Sequence, residues 1–363
     1  MTKEVWFGCV VTFLFGISIG SFMNVVIWRL PRNGSLVEPQ WSYCPSCHHR
    51  LMGGDLIPLL SYLLCVRKCR YCKKPISSRY FWVELLTGVL FVVLYLRFQP
   101  DMVNVAALTL FGALLVPIYC IDLELFEIPN QLNLLIFIIA VGRDVYGIAT
   151  HQPGHALAWN WMPQSILGAL AGIAIFGSVR LIGWLWKRVE AMGLGDVLLA
   201  RAMGAMLVSV VPVGANPLRL IPIWVMLSIG SGAIVGPALI FARQRKQNKE
   251  GADRPVAVGV NETIETADDS DSSSLGRELR DILYVIWLED AVEYVRYVLS
   301  RPATVTPGAD TEVEDAWQPA ASAIPFGPFM VVGFVAALLV GEHLTAMYLA
   351  YAWPRAAVPG YLY

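Results

Sequence analysis

Charged residues make up only 15% of this 363-residue chain, and they almost cancel, to a net charge of −1. That scarcity excludes an ordinary soluble enzyme, in which about a quarter of the residues carry charge. It also leaves no basic excess of the kind nucleic-acid binding demands, so nucleic acid is not an expected partner. Two further absences narrow the field. No small-residue processing site follows the first apolar run, which therefore reads as a retained anchor. No internal repeat is visible, and a transporter built from two related halves would show one.

What the chain has is hydrophobic residues, 56% of the total, gathered into long runs. Runs approaching the roughly 20 residues needed to cross the hydrocarbon lie near 5–27, 81–97, 103–121, 131–148, 164–186, 196–213, 219–242 and 326–352. The expected fold is an all-α integral membrane protein of about eight transmembrane helices. Arg143 and Asp144 interrupt the fourth run and should mark where it emerges. Arg219 and Arg243-Gln244-Arg245-Lys246 bound the seventh.

Between Arg29 and Arg79, nine Lys or Arg stand against Glu38 and Asp55 alone. The positive-inside rule puts this loop in the cytoplasm and the N-terminus outside. Lys187-Arg188 and the basic run from Arg243 to Lys249 then fall on the cytoplasmic side too. Along the same path the third span ends inward at Asp122, and the sixth begins inward at Asp196. Both carboxylates reach the cytoplasmic rim of the bilayer.

The runs divide the chain into a first transmembrane helix (1–27), a cytoplasmic four-cysteine module (28–80), a transmembrane core (81–243), a cytoplasmic insertion (244–324) and a last transmembrane helix with the C-terminus (325–363). In the insertion, Gln244 to Gly276 is polar and reads as disordered. Leu275 to Leu299 reads as an amphipathic helix ended by Pro302, able to pack on the bundle, lie on the membrane or bind a partner.

A carboxylate at a membrane boundary is costly unless it is used. Two close together cannot both ionise cheaply, so they share a proton: one acts as base on water, the other as acid toward a scissile carbonyl. Gly193 and Gly195 leave room for an extended substrate or a partner helix beside Asp196. Ile128-Pro129-Asn130 breaks the helix after Asp122, and Pro129 supports that turn. Taken singly, each acid is also explained as a helix-end residue, a position worth about 0.3–1 kcal/mol to a negative charge at a helix N-terminus. Glu124 and Glu127 are nearby alternatives to Asp122.

Cys44-Pro45-Ser46-Cys47 and Cys69-Arg70-Tyr71-Cys72 are two CxxC knuckles separated by 21 residues. Four thiolates so spaced suit a closed tetrahedral zinc site, which is normally structural. A cytoplasmic location argues against disulfides. His48 and His49 are alternative ligands, while Cys65, Cys9 and Cys120 lie outside the knuckles. Asp55 and Glu84 are the acids of this region able to serve chemistry.

Together these segments resemble the bacterial type IV prepilin leader peptidase and N-methyltransferase family, within the GxGD membrane aspartic proteases. The resemblance spans Gly20 through Pro31, both knuckles, Asp55-Leu56-Ile57-Pro58, Pro75 through Tyr80, Val83 through Gly88, Ile121-Asp122 through Asn130, Gly193-Leu194-Gly195-Asp196 and Pro325-Phe326-Gly327-Pro328-Phe329. It implies that Asp122 and Asp196 cut a basic leader from prepilins or pseudopilins at the cytoplasmic face of the bacterial inner membrane. It further implies methylation of the new N-terminus with S-adenosylmethionine, linked to the N-terminal cytoplasmic module, with Asp55 inside that module and Glu84 at the start of the second span. Three departures stand out. Leu198 replaces the family's usual lysine, with Arg201 the candidate substitute. Asn130 replaces the commoner aspartate. The insertion before Pro325 is longer than the pattern requires. Two other readings are a proton-coupled transporter using the edge carboxylates and a zinc-ribbon membrane scaffold. The scaffold gives neither aspartate a purpose.

Overall fold

In lipid every backbone N–H and C=O must be satisfied internally, and a helix does this within one segment. The computed structural model describes residues 2–32, 34–36, 41–151, 157–158, 162–187, 192–210, 218–252 and 324–352. Nine α-helices form among them: α1 Lys3–Arg29, α2 Leu60–Leu64, α3 Arg79–Phe98, α4 Met102–Leu125, α5 Asn130–Ala149, α6 Gln164–Lys187, α7 Leu194–Ser209, α8 Leu220–Ala252 and α9 Gly327–Ala352. A short antiparallel ribbon, β1 Leu157–Ala158 and β2 Met162–Pro163, joins α5 to α6. Among the described residues, seven helices (α1, α3, α4, α5, α6, α8 and α9) are long and apolar enough to cross a membrane.

The expected sixth span behaves differently. α7 has 16 residues, about 24 Å at 1.5 Å per residue, against a hydrocarbon core of about 30 Å. Every residue from Val197 to Ser209 is buried. Helices α5, α6, α8 and α9 pack around it.

Apolar surface gives helices in lipid no reason to associate, so contact is made by small residues that let backbones touch. A Cβ on Gly168 of α6 would overlap the Gly204 carbonyl of α7, and one on Gly172 the Ala200 carbonyl. The same device joins α1 to α3, where a Cβ on Gly16 would sit 2.8 Å from Gly88 Cα and one on Gly20 2.9 Å from Glu84 Cα. Gly204→Leu is therefore expected to lower stability by about 2–3 kcal/mol through overpacking. Gly142→Leu, at a site with nothing within 4 Å, should be silent. Thermal unfolding in detergent compares the two.

Arg143 and Asp144 interrupt the apolar run without ending the helix, and Arg143 pairs with Asp101, the N-cap of α4, at 3.5 Å. α5 runs on to Ala149 with Arg143 4% and Asp144 1% exposed. Arg143 Nε donates to Asn104 Oδ1 at 2.6 Å, and Asp144 Oδ2 accepts the Ser165 N–H at 2.7 Å. Glu342 of α9 accepts from Arg97 at 2.8 Å and from Arg219 at 3.0 Å, tying the ends of α3, α8 and α9. At the opposite end α8 stays helical to Ala252, past the expected start of disorder at Gln244. The amphipathic segment 275–299 lies outside the described residues.

Candidate active site and four-cysteine module

α4 stops because Phe126 takes a left-handed φ of 58° and returns its N–H to the Asp122 carbonyl at 3.0 Å. Pro129, whose ring presets φ and removes the donor, then caps α5. Asp122 occupies the last turn of α4 and is 4% exposed. Asp196 stands in the first turn of α7, behind the extended N-cap Gly193, with its Oδ1 enclosed by protein.

Ile128 brings these two ends together. It lies 3.1 Å from where a Cβ on Gly195 would be, and Asn133 Nδ2 donates to the Gly195 carbonyl at 3.4 Å. On its other side Ile128 Cδ1 is 3.1 Å from the Cβ position of Gly327, the first residue of α9, which also abuts Asp122 Oδ2. Both candidate acids thus lie at one end of the bundle, beside elements that touch Ile128. The two glycines have separate duties. Gly195 makes room for Ile128 of the protein itself, whereas Gly193 is exposed, its Cβ position 3.4 Å from Asp196 Oδ2.

Of the alternatives, Glu124 is on the helix rather than in the loop, accepting from Arg79 Nη1 at 2.7 Å, and Glu127 is exposed. Leu198 is fully buried, and Arg201 lies inside the bundle with its guanidinium 4.5 Å from the Phe137 ring centroid.

The cysteine module is built from two matching turns. His48 N–H reaches the Cys44 carbonyl at 2.9 Å and Lys73 N–H the Cys69 carbonyl at 3.0 Å; each donor residue has positive φ, 53° and 62°. Returning chains close both, with Cys44 N–H to His49 and Cys69 N–H to Lys74. The four Sγ atoms of Cys44, Cys47, Cys69 and Cys72 lie within 4.8 Å of one another, and Cys44 and Cys72 are 3.9 Å apart. Tetrahedral Zn–S bonds of about 2.3 Å require sulfurs about 3.8 Å apart, so the set fits a metal. Burial raises the Cys44 thiol. At Cys69 burial pushes the same way, but the N–H groups of Cys72 and Tyr71 outweigh it and lower that thiol. His48 and His49 instead pack on the rings of Tyr43 and Tyr71.

Asp55 and Glu84 line one cavity of about 440 Å³ between this module and the ends of α1 and α3. Asp55 is committed within it, paired with Arg70 Nε at 3.0 Å and accepting from the Tyr71 hydroxyl at 3.0 Å, a bond that raises the phenol above its ordinary value. Glu84, 8% exposed, accepts the Leu59 N–H at 2.7 Å. Leu59 holds φ at 60°, a conformation a leucine adopts only under constraint.

Residues 14–98 match the bacterial peptidase A24 N-terminal domain, and residues 108–237 match the type IV leader peptidase family. A prepilin leader peptidase/N-methyltransferase of Myxococcus xanthus (strain DK1622) is 32% identical over 333 residues, 92% of this chain and 90% of the relative. The chain belongs to the type IV leader peptidase family. Two more relatives of the same name reinforce the assignment. That of Aeromonas hydrophila is 32% identical over 67% of this chain and 85% of its own, and that of Vibrio cholerae 35% identical over 52% and 73%. No solved structure matches the chain at a significant level. The two matched regions of the family carry the cysteines with Glu84 and the two aspartates respectively.

Proposed function

We propose that this protein is a membrane aspartic endopeptidase that removes the short basic leader of type IV prepilins or pseudopilins at the cytoplasmic face of the bacterial inner membrane. We propose also that it methylates the new N-terminus with S-adenosylmethionine. The observation that carries the reading is the meeting of the Asp122 turn and the Gly193-Leu194-Gly195-Asp196 turn around Ile128 and Gly327, in a chain whose relatives are named for both activities.

The substrate enters as an apolar helix in the bilayer, its basic leader on the cytoplasmic side. Where that helix meets water it unwinds, and the exposed side of Gly193 admits an extended strand beside Asp196. The two carboxyl groups hold one proton between them. The ionised acid takes a proton from water as the oxygen adds to the scissile carbonyl carbon, and its partner gives a proton to the carbonyl oxygen. Return of a proton to the amide nitrogen breaks the C–N bond and frees the pilin amine.

The cavity beside Glu84 suits the second step in size, since small-molecule sites run from about 300 to 1,000 Å³, and Glu84 and Asp55 are the acids in a lining that also carries Arg29, Lys68, Arg70, Lys74 and Arg79. When bound there, S-adenosylmethionine supplies an electrophilic methyl group. Glu84 balances positive charge in the cavity and accepts a proton from the incoming ammonium, so that a neutral amine attacks. Asp55, held by Arg70 and Tyr71, builds the wall. Cys44, Cys47, Cys69 and Cys72 would hold zinc, which would fix the module that closes the cavity, and the surrounding lipid would hold the substrate helix.

Purified protein mixed with a type IV prepilin and S-adenosylmethionine should yield a shortened pilin heavier by one methyl group than the trimmed chain, read by mass spectrometry. A prepilin left intact would overturn the reading. Glu84→Gln should keep cleavage while slowing methyl transfer by roughly 10²-fold, the usual scale of one acid–base group. Equal loss of both activities would argue against a role confined to the cavity. The proton-coupled transporter finds no support in the relatives.

A further inference from the structure

We propose that Gly327 is a positioning residue for the protease, because the space its missing side chain leaves is where the Asp122 carboxylate stands; this rests on the peptidase reading above. A Cβ at position 327 would overlap Asp122 Oδ2 and lie 3.1 Å from Ile128 Cδ1.

The first turn of α9 has no freedom to retreat from such a methyl group. Pro325 and Pro328 preset their own φ on either side of Phe326 and Gly327. The Phe326 carbonyl accepts from the N–H groups of Phe329 at 3.0 Å and Met330 at 3.2 Å, closing the turn. Phe326 packs on the Phe176 ring of α6 at 6.1 Å between centroids, and Phe329 lies 3.5 Å from the Cβ position of Gly232 on α8. With α6 and α8 behind it, the turn stays in place and the strain passes forward. The yielding parts are the Asp122 side chain and Ile128. Ile128 leans in turn on Gly195, next to Asp196. One added methyl at position 327 therefore reaches both acids, through direct overlap at one and through Ile128 at the other.

The test uses the full-length protein in detergent, with Gly327→Ala set beside Gly333→Ala. Gly333 lies six residues further along α9, and a Cβ there would meet Ser228 of α8, 2.6 Å from its nitrogen, with neither acid among the nearest atoms. Gly327→Ala should lower kcat for leader cleavage by roughly 10²-fold, the scale of an ångström-sized misplacement, with KM changed by less than about twofold. Methyl transfer to a pilin already trimmed should be unchanged, and so should the unfolding midpoint. Gly333→Ala should lower the midpoint while leaving kcat per folded molecule intact. Wild-type cleavage by Gly327→Ala would overturn the inference, as would a parallel fall in kcat, methyl transfer and midpoint, which marks a packing role only. Asp122→Asn run alongside separates the two ideas. If that variant also cleaves, the peptidase reading itself has failed; if it does not, only the role of Gly327 has.

Discussion

Asp122→Asn or Asp196→Asn should leave a co-expressed prepilin at full length, a loss of roughly 10³-fold or more in leader removal. The proposed hydrolysis needs one shared proton on two carboxyl groups. An amide at either position can neither take a proton from water nor hand one to the carbonyl oxygen. Size and hydrogen-bonding reach are nearly preserved, so the fold should be too. Asn133 still holds the Gly195 carbonyl, and Ile128 still spaces α7 from α9. Each variant should therefore insert, unfold at the same temperature and methylate a pilin supplied without its leader. The gel shift of the prepilin reads the first result, and mass analysis of the trimmed pilin reads the last. Undiminished processing by either variant would end the aspartic mechanism.

The second large effect is expected at the metal. Replacing Cys44 and Cys47 together by serine removes one whole knuckle from a site whose four sulfurs lie within 4.8 Å of one another. Structural zinc sites contribute about 10–16 kcal/mol to small folds. Few apolar contacts stand in reserve, since Leu56, Ile57, Leu60, Leu63 and Leu64 of this region are all exposed. Zinc measured in the purified protein should fall from one equivalent to none, and methyl transfer should disappear as the cavity wall around Asp55 and Tyr71 loosens. Cleavage should fall less, because the protease acids sit on α4 and α7. Unchanged zinc would refute the ligand assignment.

The extent to which these features were legible in the sequence depends on how local each one is. Two CxxC pairs and a string of long apolar runs are short-range patterns, and the knuckles and most helix ends follow them within a few residues, the C-terminal end of α8 excepted. The enclosure of α7 is a different matter. Val197 through Val208 reads like any other span, and what distinguishes it is a set of small residues, Ala200, Ala202, Gly204 and Ala205, whose meaning comes from the helices pressed against them. Arg143 and Asp144 look like solvent-facing charges at the mouth of a span in one dimension. Asn104 and the Ser165 amide, 39 and 21 residues away, supply the bonds that let them stay inside. The role of Gly195 was hidden for the same reason, since its occupant, Ile128, is 67 positions upstream. Gly327 was visible only as one letter of a Pro-Phe-Gly-Pro-Phe string.

The last turn of α4 looks two ways. Residues two apart on a helix point about 200° from one another, so Asp122 faces the proposed protease site while Glu124 reaches back to Arg79 at the edge of the proposed methyl-transfer cavity. On the proposed reading one helix, about 10 Å across with its side chains, stands between scissors and stamp. On that reading a freshly cut pilin, moored in the lipid by its own greasy stem, would swing its amino end round that post to be marked without letting go of the membrane.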